Sequence, residues 1–442
     1  MKEYIKLYFP RLVQLYGIVM NPIPYFRRYI INRKERNLIK DVVHKQGIAL
    51  AKLKNKKRLN CVFFVVSYQG WKYESVYRAM EKNERFNPMI FICPMVNYGD
   101  SVMSKHLNEN IDFFNSYNYN VICSYDSQTG VYLNAKDLNI DIIFYTNPYE
   151  GLIDDRYYIK NFIDYLTVYV PYAFNNNIDY KFCQDQLLHN LVWRYYAESH
   201  DHLDYSINNS RCAGRNVVVT GYPGIEELID GHEPSFDDWK LKDKTLKRII
   251  WAPHHTIEPV HKVFYSCFLQ YADFMLEMAD KYKNEVQFVF KPHPLLRDKL
   301  DLYWGKEKTN EYYSQWENKS NCNFNDGAYA DLFLTSDAMI HDSGSFLIEY
   351  LYVNKPVIRT LNNIPIKEMY NPFALKCLDQ HYFALSKEDI ELFINDVIKS
   401  FDPLKEQRSI FVADKLKPKG CPSQNIIDDI LDSIDNQILY RN

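Results

Sequence analysis

The chain is 442 residues long, 47% apolar and 25% charged, with a formal net charge of −3 and no run of 18 apolar residues. That balance suits a globular protein of about two or three domains with sizeable cores, and it excludes low-complexity, fibrous and helical membrane-spanning classes. Nine cysteines are dispersed without any C-x-x-C pair, so neither a disulfide framework nor a structural zinc site is expected.

Charge is spread unevenly. Residues 1–58 carry 15 Lys/Arg and 3 Asp/Glu, or +12, which leaves −15 for the remainder. Tyr4, Leu7, Tyr8, Phe9 and Leu12, then Phe26, Arg27, Arg28 and Tyr29, give this leader an aromatic, cationic pattern. Such a pattern suits an interfacial helix pair on an anionic membrane face, and the alternative is a basic helical hairpin packed on the protein's own surface. Pro10, Arg11 and Gln14 interrupt any signal-peptide core, and no nucleic-acid recognition motif accompanies the charge.

Beyond the leader, residues 59–66 (LNCVFFVV) form a continuous apolar run of strand length, as a parallel strand buried on both faces requires. A helix over 72–82, a strand over 88–93, a helix over 100–117 and strands over 120–123, 140–145 and 166–170 continue the alternation of an α/β domain. Ligands in such sheets bind at the carboxyl ends of the strands. That rule makes Gln69, Glu74, Glu150 and Tyr172 acceptor-side candidates in the loops there. A helix is expected over 181–199 and a linker over 200–215, after which 216–220 (NVVVT) starts a second alternation. The predicted division is 1–58, 59–212, 213–410 and 411–442. The architecture is two Rossmann-like doubly wound domains facing a cleft, with a C-terminal helix packing back on them.

The second domain holds the most informative stretch, residues 286–358. It reads strand, loop, helix, then strand, loop, helix, strand. The first loop presents Lys291 and His293, fixed between Pro292 and Pro294. The second presents Asp342, Ser343, Gly344 and Ser345 ahead of a helix over 346–351. Small residues at a helix start let backbone N–H groups approach an anion. One helical turn on, Glu349 is placed to accept hydrogen bonds from ribose hydroxyls. A nucleotide-diphosphate site is therefore expected, with Gly221 in a loop bordering it. Lys291 and His293 would stabilise a departing phosphate. Asp342, His254 or His255 would act as base on an acceptor hydroxyl. Adjacent histidines on an extended loop should point to opposite sides, so no metal site is expected.

The segments VTGYPG, WAPHH, FKPHP and SDAMIHDSGSFLIEYLYVNKPVI, over about residues 216–360, occur in the order and spacing of the CDP-glycerol glycerophosphotransferases, the teichoic-acid polymerase and primase group. More broadly, this half resembles the donor domain of GT-B glycosyltransferases. The resemblance implies a GT-B transferase, peripheral to the cytoplasmic face of the cell membrane, that uses CDP-glycerol or a similar donor and requires no cofactor. Its acceptor would be a glycan or lipid-linked polymer. The chain departs from the family in three places. Val170 to Phe174 (VPYAF) replaces a His-bearing loop, Ala252 to Thr256 (APHHT) replaces an APTWR-like loop, and Ser343-Gly344-Ser345 replaces a Ser-Ser pair. The first departure keeps open a hexosyl- or Kdo-type glycosyltransferase of capsule or lipopolysaccharide assembly. A non-catalytic membrane-recruited scaffold and a pyruvyl-type transferase stand further off.

Overall fold

The computed structural model describes residues 22–97, 99–243, 245–258 and 264–441, with side chains described from residue 33 onward. It contains two parallel sheets. The first is built from β1 (Leu59–Val65), β2 (Phe86–Ile92), β3 (Val121–Cys123), β4 (Ile142–Tyr145), β5 (Leu166–Tyr169), β6 (Arg194–Ala197) and β7 (Val217–Val219). Their spatial order is β3-β2-β1-β4-β5-β6-β7. The second is built from β8 (Lys247–Ala252), β9 (Val286–Phe290), β10 (Cys322–Phe324), β11 (Ala338–His341), β12 (Val357–Thr360) and β13 (Tyr382–Ala384), in the order β10-β9-β8-β11-β12-β13. Each sheet therefore reverses direction once, between β1 and β4 and between β8 and β11. Strands pointing away from such a reversal open a crevice at their carboxyl ends, where ligands bind.

The apolar runs form strands because both sheet faces are covered. Along β1, Cys61, Phe63 and Val65 enter one core while Val62, Phe64 and Val66 enter the other. In the second sheet Trp251 and Phe290 face one layer, and Ile250 and Val289 face the opposite one. This is the period-two alternation of a sheet packed on both sides.

The structure differs from the sequence expectation at three places. The helix expected over 181–199 breaks into short turns at Tyr180–Gln184 and Leu187–Leu191 and then becomes β6. Trp193, Tyr195 and Tyr196 are fully buried, and aromatic residues of that kind fit a pleated, two-sided surface better than a helix stripe. The strand at Val217–Val219 pairs with β6 and closes the first sheet, so it does not begin the second. The segment placed as a linker forms the helix His200–Asn209 between them.

Of the leader, residues 1–21 lie outside the described residues. The rest is one long helix, Pro22–Leu53. Val42, Gln46, Ala49, Leu50 and Leu53 are buried along it, at the spacing of one helical face, and Gln46 Nε2 donates to Leu191 O at 2.7 Å. This half of the leader spends its apolar face on the first sheet. No helix among the described residues is long and apolar enough to cross a membrane.

The C-terminal helix Pro422–Asp435 returns from the second half of the chain and buries Ile426, Ile427, Ile430 and Ile434 against the first sheet. Its anchor is ionic. Arg194, fully buried in β6, donates from Nε to Asp429 Oδ2 at 2.8 Å and from Nη2 to Ser433 Oγ at 2.8 Å. Asp429 Oδ2 also accepts Tyr196 Oη at 2.8 Å. Arg441 Nε also donates to Asp429 Oδ1 at 2.5 Å, so removing Arg194 leaves the carboxylate one of its two cations. Arg194→Ala is expected to lower stability by about 1.5–3 kcal/mol, the loss of hydrogen bonds to a charged group, measured as a fall in the urea midpoint against the unaltered chain.

Candidate functional site

The loops at the second reversal carry the predicted residues. The loop after β8 holds His254 and His255, that after β9 holds Lys291 and His293, and that after β11 holds Asp342 to Ser345. Because β9, β8 and β11 are neighbours, the three loops meet. Backbone bonds lock them together: Lys291 N donates to Trp251 O at 2.8 Å and His293 N to Pro253 O at 3.0 Å.

The three imidazoles form one cluster. Ring centroids lie 4.4 Å apart for His254–His255, 5.0 Å for His254–His293 and 4.2 Å for His255–His293. The expected divergence of the adjacent rings fails because Pro253 and the bonds around Thr256 fold the loop back. One nitrogen from each ring lies within 4.8 Å of the others, a spacing open to a metal ion. The hydrogen bonds argue for other chemistry. His293 Nδ1 accepts the Leu295 N–H at 3.1 Å. His254 Nδ1 accepts the Thr256 N–H at 3.3 Å and lies 2.9 Å from Thr256 Oγ1. A neutral ring whose Nδ1 accepts carries its proton on Nε2, so these rings offer N–H donors where a metal would require lone pairs. His255 Nδ1 is buried without a partner.

Burial keeps the rings neutral. It holds His254 well below the ordinary imidazole value, with His293 and His255 adding to the effect. It lowers His255 to about 4, helped by Lys299, and His293 to about 3, helped by His255 and Lys291. Buried and neutral, the His293 ring presents one N–H, on Nε2, as a hydrogen-bond donor.

Asp342 lies beneath the cluster, buried, with His254 N bonded to Oδ1 and Cys267 N to Oδ2 at 2.6 Å. Burial raises its carboxyl to about 6 against the pull of those two amides. Both oxygens are occupied, so the predicted base is a positioning residue. Arg359 stands behind it in β12, donating to Ser343 O at 2.8 Å and Asp342 O at 3.1 Å. Sequence reading passed over Arg359, although a cation inside the apolar strand VIRT was a usable signal.

Ser343 Oγ accepts the Phe346 N–H at 3.4 Å, so Ser343 caps the turn that follows. The helix expected over 346–351 is a single turn, Phe346–Glu349, that continues as a 3-10 turn, Tyr350–Val353. A dipole argument has little to act on there, and the loop's own backbone and Ser345 remain the groups presented. Glu349 is buried, its carboxyl raised by burial and hydrogen-bonded by Tyr329 Oη. Lys72 reaches across from the first half of the chain to Tyr329 Oη at 3.1 Å and lies 4.7 Å from its ring centre. Lys72 and Tyr329, with Trp71, Glu74 and Gly224, line a cavity of about 130 Å³. Nothing in the local sequence marked Lys72 or Tyr329.

The remaining candidates divide. Tyr172 lies in the cleft beside Gly344 and Ser345. Glu74 borders the Lys72 cavity, but its oxygens are held by Trp71 Nε1 at 3.0 Å and Arg78 Nε at 2.9 Å. Glu150 is exposed and pairs with Lys160 at 3.3 Å, so it serves the surface. Gln69 is exposed in the turn after β1 and lines neither cavity. Gly221 faces the C-terminal segment: its φ is +86°, and a Cβ there would lie 2.6 Å from Pro418 Cβ. Its role is that close approach, away from the diphosphate loops.

Residues 177–365 match the family model described as CDP-Glycerol:Poly(glycerophosphate) glycerophosphotransferase. The match covers all three loops and begins in the first half of the chain, ahead of the VTGYPG segment. Two Staphylococcus aureus proteins align over 47% of this chain. They are teichoic acid ribitol-phosphate polymerase TarL, 23% identical over 230 residues, and TarK, 22% identical over 231. The alignments cover 38% and 41% of those relatives, so the chain spans about two fifths of the length of the curated relatives it matches. Among solved structures, a variant of the wall teichoic acid polymerase TagF superposes over 96% of this chain and 98% of its own, with a TM-score of 0.55 and 14% identity. The S. aureus MnaA–UDP co-structure covers 87% and 99%, with a TM-score of 0.52 and 14% identity. The fold is of the GT-B kind.

Lys291 gives the site a measurable pH response. Its ammonium is buried, donates to Gly327 O at 2.7 Å, and is lowered by burial to about 8. The folded chain thus releases this proton before an unfolded one does, and cationic binding by Lys291 fades as pH rises through about 8. Titration calorimetry with inorganic pyrophosphate is expected to show affinity falling about tenfold between roughly pH 7 and 9. Lys291→Arg is expected to remove that decline.

Proposed function

We propose that this protein is a transferase that moves a glycerol-phosphate or similar alditol-phosphate unit from a CDP-activated donor to a hydroxyl of a teichoic-acid-like polymer. The observation that carries the reading is the convergence, at one sheet reversal, of the loops that match the glycerophosphotransferase model. They meet as a cluster of neutral imidazole donors beside a single buried ammonium.

The chemistry is a direct displacement at phosphorus. The acceptor hydroxyl loses its proton to a base and forms the new O–P bond. The bond from that phosphorus to the bridging oxygen breaks, and cytidine monophosphate departs. His255 is the base this chain offers, since its Nδ1 has no protein partner and the loop at residues 170–174 has no histidine. Charge growing on the departing phosphate meets the Nε2–H groups of His293 and His254 and the Lys291 ammonium, all placed before reaction. Glu349 would take ribose hydroxyls in place of Tyr329. Helix Pro22–Leu53 turns Lys34, Lys40 and Lys52 outward, which supports attachment to an anionic membrane surface where a lipid-linked acceptor would lie.

The histidine missing from residues 170–174 favours one rival, a GT-B glycosyltransferase using a nucleotide sugar. A thermal-shift series with CDP, UDP, CMP, GDP and ADP separates the two readings. The cytidine nucleotides, CDP and the departing product CMP, should stabilise selectively, and His293→Ala should abolish the shift and cut turnover of CDP-glycerol or CDP-ribitol by about 10²–10³-fold. Selective stabilisation by UDP would replace this reading with the nucleotide-sugar one. No response to any nucleotide would leave the scaffold reading.

A further inference from the structure

Where loops of both sheets meet beside Gly344, a second cavity of about 180 Å³ opens, lined by Tyr149, Tyr172, Asn175, Asn176, Cys183 and Ser345 among others. Its lining includes no Lys, Arg, His, Asp or Glu. The polar groups on its wall are phenols, carboxamides, a hydroxyl and a thiol. Tyr149 Oη lies 3.3 Å from Tyr172 Oη, and the Tyr149 ring stacks on Phe182 with centroids 4.9 Å apart. Asn176 Nδ2 donates to Gly344 O at 2.7 Å, which ties this wall to the loop of the diphosphate site.

We infer that this cavity is the subsite for the uncharged, polyhydroxyl end of the acceptor, and that it selects hydroxyl-terminated over phosphate-terminated ends. The inference rests on the transferase reading above. A phosphate entering here would lose hydration and meet no cation, a cost the walls do not offset. A polyol or sugar meets groups that both donate and accept, with aromatic faces for its carbon skeleton. The volume equals that of roughly six waters at ~30 Å³ each, which fits one small alditol or sugar unit. Because Gly344 and Ser345 border both this cavity and the diphosphate loop, a hydroxyl held here lies next to the phosphorus it would attack. Of the acceptor-side residues expected from sequence, only Tyr172 is in this wall.

The test is saturation-transfer NMR on the full chain with ribitol and with ribitol 5-phosphate, beside the CDP thermal shift. Ribitol should give signals with the unaltered chain, and the phosphate should give weaker ones. Cys183→Phe, which fills the cavity, should weaken ribitol binding about tenfold while the CDP shift persists. Tyr149→Phe keeps the ring and should weaken it about threefold, which preserves the test if the bulkier variant does not fold. Ribitol signals that are absent, that are unchanged in both variants, or that are weaker than those of the phosphate would overturn the subsite. Loss of the CDP shift in the unaltered chain would instead overturn the transferase reading, whatever the ribitol result.

Discussion

The geometry of the cleft depends on one buried carboxylate. Asp342, at the end of β11, takes the backbone N–H of His254 on one oxygen and that of Cys267 on the other. Those amides belong to the loop after β8 and to the segment leading into helix Phe268–Lys281. Together with the Tyr265 N–H donated to Thr256 Oγ1 at 2.9 Å, the carboxylate joins two stretches that share no sheet hydrogen bonds at this point. Hydrogen bonds to a charged acceptor are about twice as strong as neutral ones, and here the acceptor is shielded from water. Arg359 completes the arrangement from behind by fixing the Asp342 and Ser343 carbonyls. The residues that touch no ligand are thus the ones that decide where the imidazoles stand.

The cleft also depends on contacts that cross it. Asn176 bonds Gly344 O, Asn371 Nδ2 bonds Asn175 O at 2.8 Å, and Lys72 bonds Tyr329 Oη at 3.1 Å. These polar bonds fix register, and beside them Phe174 stacks with Tyr352 and Phe373 while Asn177 pairs with Tyr370. At the back the C-terminal helix buries four isoleucines and the Arg194–Asp429 pair against the first sheet. The two halves are therefore held at both places, by apolar burial as well as by hydrogen bonds.

Much of this was legible in the sequence wherever the signal was local. Apolar runs such as residues 286–290 and 247–252 could only be strands buried on both faces, and the polar residues immediately after them had to emerge at the carboxyl edge. Lys291, His293, His254, His255, Gly344 and Ser345 meet for that reason. What failed was non-local. Residues 194–197 read as helix because Arg194 interrupts an aromatic run, and the carboxylate that makes it tolerable lies 235 residues away. Val217–Val219 was assigned to the wrong sheet because strand pairing is set by neighbours in space. Gly221 and Glu150 sit in strand-end loops as expected, yet a strand end says nothing about what packs over it. Lys72 was invisible because a lone lysine just ahead of a helix has no distinguishing pattern in sequence.

The electrostatic economy of the site follows from burial. A diphosphate needs charge stabilisation, and a cleft with several permanent cations would supply it, but each buried cation would cost several kcal/mol in the empty state. This chain keeps one buried ammonium, Lys291, at the loop mouths, ties the second buried cation, Arg359, to the Ser343 and Asp342 carbonyls, and sets beside them rings that burial holds neutral. Neutral donors with locked tautomers cost little when empty. They strengthen as negative charge develops, because their field acts in a poorly screened environment. The backbone amides of Leu295 and Thr256, by occupying Nδ1, set which nitrogen carries the proton. A loop two residues longer or shorter would lose that lock and leave the same histidines with either face presented. The spacing H-x-x after each strand, rather than the histidines alone, is therefore what converts two ordinary loops into a directed set of donors.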